Sequence, residues 1–255
     1  IAPITSTTMR HALLFLMLTF CITSYAGSKD SIMSRLDEVM SKKGVYVDEK
    51  EQRILRLKQF LDRRDLSLMQ LYDIHQKLYL EYKKFKTDSA VHYVLKNREV
   101  ANIIGDAKLK NETELQLTWL YSTKGMYIEA KSILDKIKKD KIPSTLLPEY
   151  YRAYNAFYSH YALSNKEEKY YRQSGYYRDS LLLVLDPQSL EYQIEYATKE
   201  LYDLRKEKAT ELFKELLNKT TDDDPNRALI AYFLGYTYKE QNNLELQKKY
   251  FSISA

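Results

Sequence analysis

The feature that most constrains this chain is a spacing. Ala90, Ala130 and Ala209 each lie on the apolar face of an amphipathic segment, and they stand 40 and 79 residues apart. That is one step and about two steps of a repeat near 40 residues, with a small residue wherever two helices must cross closely. The stretch from Asn111 to Pro143 shows the unit best. Leu117, Leu120 and Tyr121 share one face of a first helix, Gly125 makes a tight turn, and Ala130, Leu134 and Ile137 share one face of a second. Asn111 and Glu114 have capping-box spacing and are expected to start the first helix.

Similar pairs are expected on both sides. Leu68 to Lys84 precedes a helix carrying Ala90, Tyr93, Val94 and Ile103, opened by Asp88 and closed at Gly105. Pro148 starts a tyrosine-dense helix to Leu163, and Ser164 with Glu167 forms a second expected capping box before the helix Lys166 to Leu185. Ser189 to Tyr202 and Lys206 to Asn218 form the next pair. After Asp224-Pro225 the last unit places Leu234, Gly235 and Tyr238 on one helix, and Leu244 opens its partner. A pair of this kind cannot bury its apolar face alone, so stacking is required, and the first helices are expected to line a concave surface. The array reaches Ala255 without a polar capping helix, so the native chain is expected to continue.

The first residues read differently. Ile1 to Thr8 precede a natural start at Met9 and look like upstream or cloning-derived residues. Residues 9–26 have a basic start, an apolar run from Ala12 to Thr23 and small residues at Ser24 and Ala26, which predicts a cleaved secretory signal and a bacterial periplasm. The apolar run is short for a membrane span. Residues 27–65 are expected to be an N-terminal helical segment, one helix from Ser31 to Ser41 ending at Lys42-Lys43-Gly44 and another from Val47 to Asp62. Residues 66–255 hold about five repeats.

Composition supports a helical chain: 6 Gly and 5 Pro in 255 residues leave little material for the turns of a β fold. The 40 basic and 35 acidic residues are mixed and give no nucleic-acid footprint. Cys21, the single cysteine, lies in the expected signal, so disulfides and cysteine chemistry are excluded from the mature chain. The layout Gly125-Tyr127-Ala130 and Leu234-Gly235-Tyr238 resembles the tetratricopeptide repeat, which implies an all-α, right-handed superhelical solenoid. The signal, the helix Tyr46 to Lys58 and the Tyr-rich repeats together resemble the periplasmic half of an uncharacterised family of membrane-tethered helix-turn-helix regulators from Gram-negative anaerobes. That resemblance implies signalling, with a membrane tether only if the native chain continues.

No catalytic constellation is expected. His11, His75, His92 and His160 lack metal-ligand spacing, and no Walker, GxSxG or GxGxxG motif occurs. Asp222-Asp223-Asp224 reads as a solvated loop before a helix rather than a cation site. Lys136, Lys138, Lys139 and Lys141 complement a helix end, with an anion-binding patch as the alternative. Asp30-Ser31-Ile32 has the form of an O-glycan acceptor, with Ser31 exposed near the mature start. The candidate peptide groove is Trp119, Tyr232, Tyr236 and, against a ligand carboxylate, Lys239; the competing role of Trp119 is packing between repeats. The expected function is binding of a protein or peptide, without cofactor, metal or bound nucleic acid, as the sensor part of an envelope regulator. The alternatives are a free periplasmic scaffold protein and a helical-solenoid cell-wall enzyme fragment.

Overall fold

A computed structural model describes residue 34, residues 37–222 and residues 224–254. The expected signal at residues 9–26, Cys21, Ser31 and Asp223 lie outside the described residues. The described residues form helices and turns without a strand. None of their helices is long and apolar enough to cross a membrane.

The chain divides into two compact units, one from Tyr46 to Arg205 and one from Lys206 onward together with the residues up to Val45. The first described helix, α1, spans residues 37–61 without interruption. The break expected at Lys42-Lys43-Gly44 is absent. Gly44 keeps an ordinary helical φ and meets nothing at its Cβ position. A glycine inside a helix costs only about 1 kcal/mol against alanine, which flanking helix formers offset.

In the unit from Tyr46 to Arg205, α1 is followed by α2 (Leu68–Tyr82), α3 (Thr87–Ile104), α4 (Ala107–Thr123), α5 (Tyr127–Leu134), α6 (Leu147–Asn165), α7 (Glu168–Leu182) and α8 (Leu190–Tyr202). Successive helices pack on one another, and α4 also packs on α6, skipping α5. This is the stacking of first helices on first helices. Hydrogen bonds record its step: Tyr72 to Glu112 and Gln116 to Gln76 each join residues 40 apart, and Arg152 to Glu191 joins residues 39 apart. Ile54 of α1 joins Leu78, Tyr82, Val94, Leu117 and Leu120 in one buried cluster, and Ala90 and Ala130 are fully enclosed. The second unit contains α9 (Lys206–Lys219), α10 (Arg227–Glu240) and α11 (Leu244–Ser254), with α10 packed on both neighbours. Ala209 and Phe213 are buried there, and Phe213 stacks on Phe233 at 5.4 Å.

The helix ends explain the repeat locally. In α4, α8 and α10 an amide donates back to the carbonyl five residues earlier, Met126 to Tyr121, Arg205 to Glu200 and Asn243 to Tyr238, each at 2.9 Å. The residue before each donor is left-handed: Gly125 at φ 76°, Leu204 at 63° and Asn242 at 58°. This is the Schellman closure. Three expected starts are corrected. Lys86, not Asp88, is the extended residue before α3, and Asp88 lies in its first turn without capping it. Asp106, not Asn111, caps α4, its carboxylate accepting from the amides of Lys108 and Leu109. Gly105 (φ 81°) ends α3 immediately upstream, so Asp106 is the first extended residue, and Asn111 falls inside the helix. Likewise α6 runs through Ser164 to Asn165, and Glu167 begins α7 without a side-chain cap. The expected second helix of the best unit is also shorter than its apolar pattern. α5 stops at Leu134, and the chain continues as 3-10 turns at Lys139–Lys141 and Ser144–Leu146. Like charges at three-residue spacing (Lys136 with Lys139, Lys138 with Lys141) and then Pro143 oppose another helical turn.

Candidate functional site

Trp119 projects from the middle of the stacked first helices. Leu117 and Leu120 on the same helix are fully buried, and they fix the face that Trp119 turns outward. One side of the half-buried indole packs on the core cluster of Leu78 and Tyr82. The other opens into a small cleft of about 50 Å³ shared by three helices. Lys83 at the end of α2 lines it, with Gln116 beside Trp119 on α4 and Glu149 and Arg152 on α6.

Lys83 carries the electrostatics. Its ammonium lies 4.2 Å from the centre of the Trp119 ring and 5.7 Å from that of Tyr79. No carboxylate among the described residues lies within ion-pair distance of it. Burial, aided by the nearby Arg152 charge, lowers its pKa to about 8. Arg152 is held by Glu149 at 3.5 Å and by Glu191 of α8. Beyond Gln116 a polar ladder crosses between α2 and α4. The Tyr72 hydroxyl donates to Glu112 (3.0 Å), and the Gln116 amide donates to Gln76 (3.2 Å) and Glu112 (3.4 Å). Burial raises the Glu112 carboxyl above its ordinary range, opposed by the Tyr72 hydrogen bond. Two closed acceptors, Gln116 Oε1 and Glu149 Oε2, have no hydrogen-bond partner. The arrangement therefore offers a flat aromatic face and an unpaired, desolvated cation side by side. Such a surface suits a ligand group that combines an apolar body with hydrogen-bond acceptors.

The four residues expected in the groove are divided between the two units. Trp119 belongs to the unit from Tyr46 to Arg205. Tyr232, Tyr236 and Lys239 belong to α10 in the other unit. Those three share one helix face: the exposed Tyr232 stands 5.7 Å from the Phe251 ring, and Lys239 lies 5.8 Å over Tyr236. Lys83, Gln116, Glu149 and Arg152 were missed. The signal for Lys83 was available in the 40-residue step. Tyr79 stands one step before Trp119, and Lys83 follows it by one helical turn.

His75 is buried against the Tyr93 ring at 5.7 Å, and His92 meets the same ring edge-on at 5.1 Å. Among the described residues no group of three or more His, Cys, Asp or Glu converges to hold a metal ion. Asp222 pairs with Arg227 at 3.0 Å, and Asp224 accepts from the Asn226 amide at the entrance to α10.

No curated protein sequence matches the chain. A crystal structure of nearly identical TPR-like repeats from a kinesin light chain of Podosopora anserina aligns at 15% identity, covering 74% of this chain and 95% of that one, with a TM-score of 0.42. Residues 40–255 match the family described as the SusR N-terminal TPR domain. With most of its length matched, the chain belongs to the SusR N-terminal TPR domain family.

Proposed function

We propose that this tetratricopeptide-repeat domain is a non-catalytic receptor for a protein or peptide, and that it forms the periplasmic sensing part of a membrane-tethered transcriptional regulator. The observation that carries the binding reading is the Lys83–Trp119 pair. A protein built only for stability gains little by burying an ammonium without a carboxylate partner. A recognition surface gains an aromatic anchor and a charge whose partner arrives with the ligand. Trp119, Lys83 and Arg152 come from three stacked first helices, so one extended segment laid across them would touch three repeats.

The regulator reading is supported by the secretory pattern at residues 9–26 and by the family's description as an N-terminal domain. Its test is the coding sequence downstream of Ala255. An apolar run of about 20 residues followed by a helix-turn-helix is expected. A stop codon soon after one more helix contradicts the regulator and leaves a free periplasmic scaffold. The binding reading is tested separately by panning a random dodecapeptide display library on the wild-type chain and on Trp119→Ala. Peptides enriched on the wild type should fail to enrich on the variant; equal enrichment overturns it.

A further inference from the structure

We infer that the cavity between α5, α6 and α7 is a second binding site, one that takes a small planar aromatic anion. Its origin is the shortness of α5. That helix has 8 residues, where α3 has 18 and α7 has 15. Aromatic surface that a longer second helix would cover is left open as a cavity of about 660 Å³. That is within the usual range for small-molecule sites. It shares no lining residue with the Trp119 cleft.

The walls are preformed. Phe157 and Tyr161 of α6 stack with their planes 10° apart. Tyr127 of α5 stands edge-on to both, and Tyr170 of α7 meets Tyr161 edge-on at 4.7 Å. The Tyr127 hydroxyl is tied to the His160 carbonyl at 3.0 Å and to Ser164 at 2.8 Å. Little side-chain freedom therefore remains to be lost on binding, and both faces and edges of rings are presented. The mouth supplies the charge. Lys131 is paired with Asp135, but Lys136 has no carboxylate within ion-pair distance among the described residues. Ile128 on the lip is 85% exposed, an apolar side chain that gains from being covered. A ring in the cavity with its anionic group toward Lys136 uses all three features. Asp135 neutralises Lys131, and Lys136 leaves the mouth with an excess positive charge that disfavours a cationic ligand.

Calorimetry with 2-naphthoate (ring and charge), 2-naphthamide (ring without charge) and octanoate (charge on an aliphatic chain, without a ring) tests this on the full chain. The wild type should bind 2-naphthoate at one site and at least ten times more tightly than octanoate. Ser132→Trp, which fills the exposed mouth, should weaken 2-naphthoate at least tenfold; Ile128→Glu, at a fully accessible position, should do the same if the bulky variant fails to fold. Lys136→Ala should weaken 2-naphthoate several-fold and leave 2-naphthamide unchanged. Trp119→Ala should leave the affinity as it is, which keeps this site separable from the peptide cleft. Absence of 2-naphthoate binding at millimolar concentration, equal affinity for octanoate, or full binding by folded Ser132→Trp or Ile128→Glu overturns the inference.

Discussion

Gly235 of α10 and Phe251 of α11 touch so closely that a Cβ on Gly235 would lie 2.6 Å from the ring's Cδ1 and 2.8 Å from its Cε1. The glycine is thus a socket for the aromatic ring of the partner helix. Gly235→Ala should cost about 1–3 kcal/mol, because the ring must leave its position or the helices must separate. Chemical denaturation of the wild type and the variant measures it. Phe251→Leu in the alanine background should recover part of the loss, since the obstructing ring is gone.

Helix closure gives a pair of opposite expectations. Gly125 and Leu204 occupy the same left-handed position at the ends of α4 and α8. Gly125→Ala should destabilise by about 1 kcal/mol, because a side chain is strained there although space is open. Leu204→Gly should stabilise by about 0.5 kcal/mol, the relief of strain being partly offset by unfolded-chain entropy. Leu204 is 76% exposed, so little packing is lost. Thermal melts of both variants check the signs.

The buried histidines predict acid sensitivity. Burial holds His75 and His160 below the ordinary imidazole value of 6.5. The folded chain therefore binds fewer protons than the unfolded chain once the pH falls below that value, and stability is lost as acid is added. The loss sets in as the pH falls through 6.5, where the unfolded imidazoles take up protons that the folded chain does not. His75→Phe with His160→Phe should flatten the profile, as urea titrations at several pH values would show; an unchanged slope excludes both groups.

Lys83 predicts the opposite limb. Its pKa falls from 10.5 to about 8 on folding, chiefly through burial. The penalty on the charged form is fully present below about pH 8 and fades toward 10.5. Relative to Lys83→Met, the wild type should gain about 1–2 kcal/mol of stability across that window, discounted for solvent screening. A constant difference between the two proteins would show that Lys83 does not titrate there.

Much of the fold was legible because the repeat is written in local residues. Ala90, Ala130 and Ala209 mark the crossings, and all three are fully enclosed. Capping was less legible, because a short polar motif gives no ranking between rival starts. Asp106 won over Asn111 because of Gly105 just before it. The apolar period continued through Ile137, but like charges and Pro143 stopped α5 at Leu134. Local pattern announced only Trp119 of the cleft. Lys83 and Arg152 are brought to it by three-helix stacking, and no local pattern announces a cation that approaches from another repeat.

Trp119 is the chain's one tryptophan, so its emission reports on the cleft without labelling. The most direct measurement is a fluorescence titration with the dodecapeptides enriched by display, using tryptophan-free sequences, on the wild type and on Lys83→Ala. The account predicts a saturable shift of Trp119 emission with the wild type, and at least tenfold weaker binding by the variant. Binding that leaves Trp119 emission unmoved and Lys83→Ala unaffected would contradict it.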